Sequence, residues 1–353
     1  METASIIVQP FDPLTASEDV IEKYIGFQEI IRKERAPDDP PIPRDLIKKE
    51  IKNPHPHFMQ VRFLAWKGDQ IIGAGDLGWM KEEAPGYAKN KHIGSINVRV
   101  LKEYRRNGVG KRLLEHVVDA SANNPILTTI FGDSWNDAGR KFCERFGGKF
   151  SQEGAENRLY LKDVNWDMIR EWDMKGLEFA KKEGITLQFF EDCPDEILEE
   201  YCLVYQETMN QQPLGDFDGE ITITPESRRL EEKRNKERGI KWYTLISREA
   251  DGRISGLTEI LYHPSIPQKA FQNLTGVKQE FRGRGLGKLL KAHMLLWIVQ
   301  KHPEIKVIVT GNDATNAPML SINTRMGFKK YIGNTTYLFN LDDLRKRVLE
   351  TSP

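Results

Sequence analysis

The 353-residue sequence is short of several things, and each shortage excludes a class. It has only three cysteines, Cys143, Cys193 and Cys202. They form no C-x-x-C pair and their number is odd, so neither a disulfide framework nor a zinc site is expected, and a reducing, cytoplasmic setting fits. No run of about 18 apolar residues occurs, so no membrane-crossing helix is expected. Met1–Pro10 has no basic stretch leading into an apolar one, so no leader is expected either. Net charge is also missing, with 52 Lys+Arg against 52 Asp+Glu. That balance gives no electrostatic reason to hold nucleic acid or a membrane. G-K-[ST] is absent, and no G-x-G-x-x-G follows a first strand, which excludes the P-loop and Rossmann signatures. His55-Pro56-His57 lacks further ligands at zinc spacing and reads as a loop.

What is present is an ordinary globular composition, 39% apolar and 29% charged, in a chain long enough for two domains of roughly 100–200 residues each. The first half reads as a strand Ile6–Val8, a helix Ser17–Lys33, a proline-rich loop Arg35–Pro43, strands Val61–Trp66, Ile71–Trp79 and Ile93–Leu101, an amphipathic helix from Val109, a strand Pro125–Phe131 and a helix Ala138–Phe146. The second half repeats the order: strand Thr186–Phe190, helices Asp195–Met209 and Thr224–Arg238, strands Trp242–Arg248, Ile254–Leu261 and Phe271–Val277, a helix from Leu286, strand Ile305–Thr310, helix Ala317–Met326 and closing strand Tyr331–Asn340. Trp166–Lys182, with Asn165 and Gly184 as caps, reads as a linker helix. The charge run Glu231–Arg238 reads as a solvated helix face. The expected domains are residues 1–163, a linker at 164–184, and residues 185–353. A repeat of this length means duplication, not a solenoid.

Each half carries one glycine loop between a strand and a helix. The first is Arg105-Arg106-Asn107-Gly108-Val109-Gly110, the second Arg282-Gly283-Arg284-Gly285-Leu286-Gly287, 177 residues on. Glycines let backbone approach a ligand, and free N–H groups at a helix start favour an anion. Each hydrogen bond to a charged acceptor is worth roughly 1.5–3 kcal/mol. A pyrophosphate suits such a cradle. One R-x-x-G-x-G arises by chance in roughly one chain in ten of this length, whereas two in matching context are far more specific.

These loops resemble the motif of the GNAT superfamily of N-acetyltransferases: a strand, Gln/Arg-x-x-Gly-x-Gly/Ala, then a helix. The resemblance extends to a later asparagine and a Gly-Phe pair. Asn316 stands 11 residues before Gly327-Phe328, and Asn136 stands 11 before Gly147, where Gly148 replaces the phenylalanine. The tandem layout is similar to that of the mycothiol synthase-like acetyltransferases, in which the C-terminal half is catalytic. The resemblance implies a mixed α/β fold: two GNAT-like domains, each a mostly antiparallel sheet flanked by helices with a splayed central strand pair. It implies acetyl-CoA and no metal. Val98–Val100 and Thr275, Gly276 and Val277 would hold the acyl group and pantetheine. Residues Arg105–Gly110 and Arg282–Gly287 would cradle the pyrophosphate. Asn316 and Met319, with Asn136 by analogy, would meet the pantetheine arm. The family's acid tyrosine, four residues before the Gly-Phe pair, is replaced by Asn323 and Cys143. Tyr331 and Tyr337 are the substitutes, and Asn323 can itself hydrogen-bond a thiolate.

A thioester is already activated, so direct attack by an amine suffices, provided a base removes the ammonium proton. Glu259, in Gly256-Leu-Thr-Glu-Ile260 on the strand before the motif strand, is the candidate base, and Asp76 is its first-half counterpart. Asp216 and Asp218 lie where the resemblance implies a substrate-lining loop and would suit a cationic substrate, although an Asp-rich turn is the commoner meaning. The expected activity is acetyl transfer to a small-molecule amine by a monomer or homodimer, without nucleic-acid or membrane partners. A non-catalytic acyl-CoA sensor and a GNAT-fold aminoacyl transferase stay open as alternatives.

Overall fold

The computed structural model describes residues 5–350 except Leu214 and Phe217. In chain order the first half holds β1 (Ile6–Pro10), α1 (Glu18–Arg35), α2 (Arg44–Ile51), β2 (Phe58–Lys67), β3 (Gln70–Met80), α3 (Tyr87–Asn90), β4 (Ile93–Val100), α4 (Val109–Ala120), β5 (Thr129–Ser134), α5 (Asp137–Arg145) and β6 (Lys149–Tyr160). There follow α6 (Trp166–Glu183), β7 (Thr186–Phe190), α7 (Leu198–Asn210), α8 (Pro225–Glu237), β8 (Lys241–Arg248), β9 (Ile254–Tyr262), β10 (Lys269–Val277), α9 (Leu286–Lys301), β11 (Val307–Asp313), α10 (Ala317–Met326), β12 (Lys329–Asn340) and α11 (Leu341–Glu350). Sequence reading missed α2, α3, β6 and α11. Local chemistry sets several boundaries. Asn165 Oδ1 accepts from Met168 N at 3.0 Å to start α6, and Gly184 ends it at φ +71°. Thr224 and Ser227 form a capping box at α8, with Pro225 in its first turn.

Contacts group the chain into two compact units. Unit 1 comprises residues up to Gln152, Asp216–Glu220, and those from Asn334 on; unit 2 comprises Glu153–Gly215 and Ile221–Gly333. The chain boundaries expected at 163 and 184 are therefore not where the contacts divide, and α6 belongs to unit 2 instead of standing apart as a linker. The closing strand also departs from expectation. β12 is a strand, but its residues 335–340 pair antiparallel with β5 in unit 1 instead of closing unit 2. In unit 2 the corresponding place beside β11 is taken by β6, through residues 154–160. Each unit thus takes its last strand from the other half of the chain.

The strand pairings within the two units repeat one plan. In unit 1, β1, β2, β3 and β4 pair antiparallel in sequence, β4 pairs parallel with β5, and β5 meets β12. In unit 2, β7, β8, β9 and β10 do the same, β10 pairs parallel with β11, and β11 meets β6. The apolar stripe of α4 (Val109, Leu113, Leu114, Val117, Val118) is buried against the unit 1 sheet with Tyr337, Phe339, Leu341, Leu344 and Val348. In unit 2, Leu290, Met294, Leu295 and Ile298 of α9 fill the equivalent place. A Cβ on Gly176 of α6 would stand 2.6 Å from Leu289, so glycine there lets α6 lie close on α9.

Candidate active site

Both glycine loops form open cradles. In unit 2, Gly283 and Gly285 have φ of +78° and +83°, and a Cβ on either would meet nothing within 4 Å. Gly285 is the N-cap of α9 with no side chain bonded into the cap, which leaves the first amides of the helix for a guest. Gly108 does the same for α4 at φ +78°. The position of Gly283 is held in unit 1 by Arg106 at φ +67°, the only non-glycine at positive φ among the described residues. The leading arginines act on the protein itself. Arg105 Nε donates to the Val100 carbonyl at 2.9 Å and Arg282 Nε to the Val277 carbonyl at 3.1 Å, tying each loop to the end of its own strand. Their other nitrogens bond Glu34 and Gln211, and Arg284 pairs with Glu249 at 2.9 Å.

The strand pair in front of each cradle splays. β10 and β11 pair only from Lys269–Val307 to Phe271–Val309, and β4 and β5 only from Ile93–Thr129 to Ile96–Gly132. At the unit 2 fork, the Thr310 hydroxyl donates to the Gln272 carbonyl at 3.1 Å, and beyond it the strands part. Here the units differ. β3 and β4 keep one register throughout, whereas β9 and β10 slip between Gln272 and Thr275, placing one extra residue in β10. A bulge of this kind leaves a backbone group outside the ladder and sets two successive side chains on one face. Asn273 and Leu274 accordingly both meet α7, through Tyr205 and the cluster around Val204. On that face too, a Cβ on Gly276 would stand 2.4 Å from Thr208, so glycine is required for the approach of α7. Thr275 faces away and meets the Thr258 hydroxyl at 2.7 Å.

Glu259 lies under the bulge and has no exposed surface. Its Oε1 accepts from Tyr201 at 2.5 Å and Arg228 at 2.8 Å, and its Oε2 from Asn273 at 2.8 Å. Arg228 stacks 3.6 Å over the Trp242 ring and also donates to Glu232 at 2.9 Å. Burial works against its charge, yet Tyr201 and Glu259 beside it leave the guanidinium held more firmly protonated than usual. Burial likewise pushes the Tyr201 and Tyr205 hydroxyls well up. The α8 charge run is thus not all solvated as expected: Glu232 and Asn235 are buried, Glu232 because it closes this network. Asp76 holds the matching place in unit 1, three residues after Gly73 as Glu259 is after Gly256. It pairs with Arg99 at 2.9 Å, and burial, opposed by Arg99, raises its pKa.

The remaining candidates are dispersed. Asn136 and Asn316 each cap a helix, accepting from Gly139 N at 2.8 Å and Met319 N at 3.3 Å. Asn323 is buried and donates to Asn312 Oδ1 at 2.8 Å. The Arg158 guanidinium lies 3.4 Å over the Tyr331 ring. Tyr337, a substitute acid from the second half, belongs to unit 1, where its hydroxyl meets Glu144 at 3.3 Å. Burial pushes the Cys143 thiol up to about 12. Asp216 and Asp218 also lie in unit 1, bonded through Asp216 N to Ser151 and through the Asp218 carboxylate to His92 at 3.2 Å. Leu214 and Phe217 of that turn lie outside the described residues. Among the described residues, no group of three His, Cys, Asp or Glu side chains is placed to hold a metal, and no helix is long and apolar enough to cross a membrane.

Comparison with known proteins agrees with this architecture. Residues 24–148 match the family model described as the acetyltransferase (GNAT) family. A mycothiol acetyltransferase of Clavibacter sepedonicus is 24% identical over 234 residues, 64% of this chain and 66% of that protein. The solved structure of a tandem GNAT protein from the clavulanic acid biosynthesis pathway superposes with a TM-score of 0.73 at 18% identity, over 96% of this chain and 99% of that one. A GCN5-related N-acetyltransferase from Sphaerobacter thermophilus gives 0.63 at 16% identity, over 95% and 96%. Residues 24–148 are thus similar to the GNAT acetyltransferase family, and the chain over its whole length shares the fold of tandem GNAT proteins.

Proposed function

We propose that this protein is an N-acyltransferase that moves an acyl group, acetyl first among them, from acyl-CoA to the amine of a small molecule, with unit 2 as the working site. The observation that carries the assignment to unit 2 is the β10 bulge, which lies between a splayed strand and an open, uncapped helix start. Unit 1 has the splay and the cradle without the bulge.

The cradle fits a CoA pyrophosphate: the loop glycines leave open space and the first α9 amides have no capping side chain. When bound, acyl-CoA supplies a thioester, which an amine attacks without a covalent enzyme intermediate. The backbone freed by the bulge is suited to donate to the thioester oxygen as charge gathers on it, an interaction worth roughly 100–1,000-fold in rate. Glu259 enters this reading as a positioning residue, because its oxygens are filled by Tyr201, Arg228 and Asn273 and none is exposed. Asn323, in the place of the family's acid tyrosine, is held by Asn312. Unit 1 retains a cradle for CoA without this chemistry.

Paired substitutions test the reading. With acetyl-CoA and a panel of amines, Gly285→Val should lower kcat/KM for thiol release by about 100-fold, since it places a side chain where the donors of a charged group must be approached. Gly108→Val should leave turnover within about threefold, a margin set by the ordinary spread of such measurements. Equal losses would remove the assignment to unit 2. Tight CoA binding with no thiol release by the unaltered chain would favour the sensor. Binding of charged tRNA in place of CoA would favour the aminoacyl transferase.

A further inference from the structure

We infer that the side chains of Gln272 and Asn273 build the β10 bulge and are positioning residues for acyl transfer; this rests on the function proposed above. Two consecutive amides are unusual in a strand whose neighbours are apolar, and both are turned onto the slip itself. Gln272 is buried, and its Nε2 donates to the Glu259 backbone carbonyl at 2.7 Å and to the Thr258 hydroxyl at 3.0 Å, with a longer contact to Thr275 at 3.4 Å. The ladder pairs Gln272 with Ile260 and resumes with Thr275 opposite Thr258, so Glu259 is the residue of β9 skipped by the slip. Its carbonyl is a buried acceptor that would otherwise want a partner. The Gln272 side chain supplies the donor that the displaced strand no longer gives.

Asn273 does the reverse on the other face. Its Nδ2 donates to the Glu259 carboxylate at 2.8 Å and meets the Tyr205 hydroxyl at 3.3 Å. Backbone and side chain of one residue, Glu259, are therefore each gripped by one of the two amides, and Arg228 and Tyr201 fix that carboxylate in turn. The Gln272 carbonyl also takes the Thr310 hydroxyl at the fork, so the bulge and the splay share an anchor. Unit 1 has glycine and valine, Gly75 and Val98, where unit 2 has Thr258 and Thr275, and its β3 and β4 run in register. The bulge follows from this polar set and not from the fold as a whole.

The test uses the full chain and the variants Gln272→Met and Asn273→Leu, which keep volume and remove the donor. Three quantities are read: kcat for thiol release, KM for acetyl-CoA, and the ratio of CoA to acetyl-CoA dissociation constants by calorimetry. The expected result is a kcat lower by about 100-fold, the size of losing one oriented oxyanion donor. KM and free CoA affinity should stay within about threefold, because the cradle is untouched. Any preference of the unaltered chain for acetyl-CoA over CoA should fall by about fivefold, as for one lost neutral hydrogen bond. Asn273→His, which keeps a donor, should recover part of kcat. Turnover within twofold of the unaltered chain in both variants overturns the inference while leaving the proposed function standing. An unaltered chain that binds CoA but never releases thiol overturns both. If either variant fails to fold, Asn273→His and Gln272→Glu decide: donor retained with activity and donor lost without it supports the inference, and equal activity overturns it.

Discussion

The two units share a topology and differ at matched positions, and under the proposed function those differences separate what the fold needs from what chemistry needs. Both bury a carboxylate three residues after a strand glycine, Asp76 in one and Glu259 in the other. Asp76 is paired by Arg99 of the next strand, while Glu259 is paired by Arg228 of helix α8 and also grips the bulge. Both loops turn through a left-handed residue, but only unit 1 does so with a side chain, Arg106, a conformation that costs roughly 1–2 kcal/mol. Five residues into each following helix step, unit 1 buries Leu114 where unit 2 buries Lys291. Unit 1 keeps β3 and β4 in register, and unit 2 is the same scaffold with a slip at the matching strand pair and a polar network buried beside it.

The comparison can be broken most forcefully through the exchanged strand. Ending the chain at residue 333 removes Tyr337, Phe339, Leu341, Leu344 and Val348 from the unit 1 core. At roughly 1.5–3 kcal/mol for each buried side chain, the loss is about 10 kcal/mol, as large as the whole stability of a typical domain. Unit 1 should become fully open to limited proteolysis and hydrogen exchange, although every strand of the first half is still present. A unit 1 that stays protected would show that the boundary at 163 was the physical one.

Next in size is the buried ion pair. Glu259→Gln should destabilise by about 3 kcal/mol in urea unfolding, the low end for breaking a buried pair, because Arg228 keeps its charge in a dry place but retains Glu232 as a partner. Asp76→Asn should change stability by only about 1 kcal/mol, since burial already works against the ionised form. The sign with pH is checkable. The folded pKa of Asp76 is raised, so the folded state holds the proton more tightly. Stability falls as pH rises through the range between the unfolded and folded values, and the asparagine variant should lose that fall. Similar losses in both variants would erase the distinction drawn between the carboxylates.

The last expected effect runs the other way. Burial lowers the Lys291 pKa from 10.5 to about 7, and the Phe328 ring lies 5.3 Å from the amine. A base whose folded pKa is depressed destabilises fully below that value and ceases to do so above the unfolded one. Stability should therefore climb from about pH 7 to pH 10.5. Lys291→Leu, which copies unit 1, should flatten that climb and stabilise the fold near neutrality. A variant with an unchanged pH profile would show that Lys291 finds water in solution.

Much of this was legible in the residues. Arg-x-x-Gly-x-Gly names its own geometry, because positive φ and an uncapped helix start follow from glycine placement, and the alternating strands gave the order of elements. The rest depends on what lies opposite. The bulge is a mismatch between two strands, and nothing in Gln272-Asn273 alone shows which carbonyl β9 leaves over. Glu259 reads as a candidate base until Arg228 is known to reach it from α8, 31 residues earlier. The buried half of α8 was hidden because Glu232 and Arg228 lie one turn apart, the spacing of an exposed pair. β12 has the same strand pattern whichever unit it joins, so the exchange of closing strands left no local mark.

That exchange bears on the order in which the molecule can be made. A chain leaves the ribosome from its N-terminus, and domains ordinarily close as soon as their last residue is clear. Unit 1 cannot, because β5 must wait for residues 335–340. At about 5–20 residues per second, the delay after Gln152 is on the order of 10–40 s. For that interval the unpaired side of β5 is an open strand edge, available to any extended segment that passes. Unit 2 has no such wait, since β6 is already made when β11 emerges. The half that is synthesised first is therefore the half that finishes last.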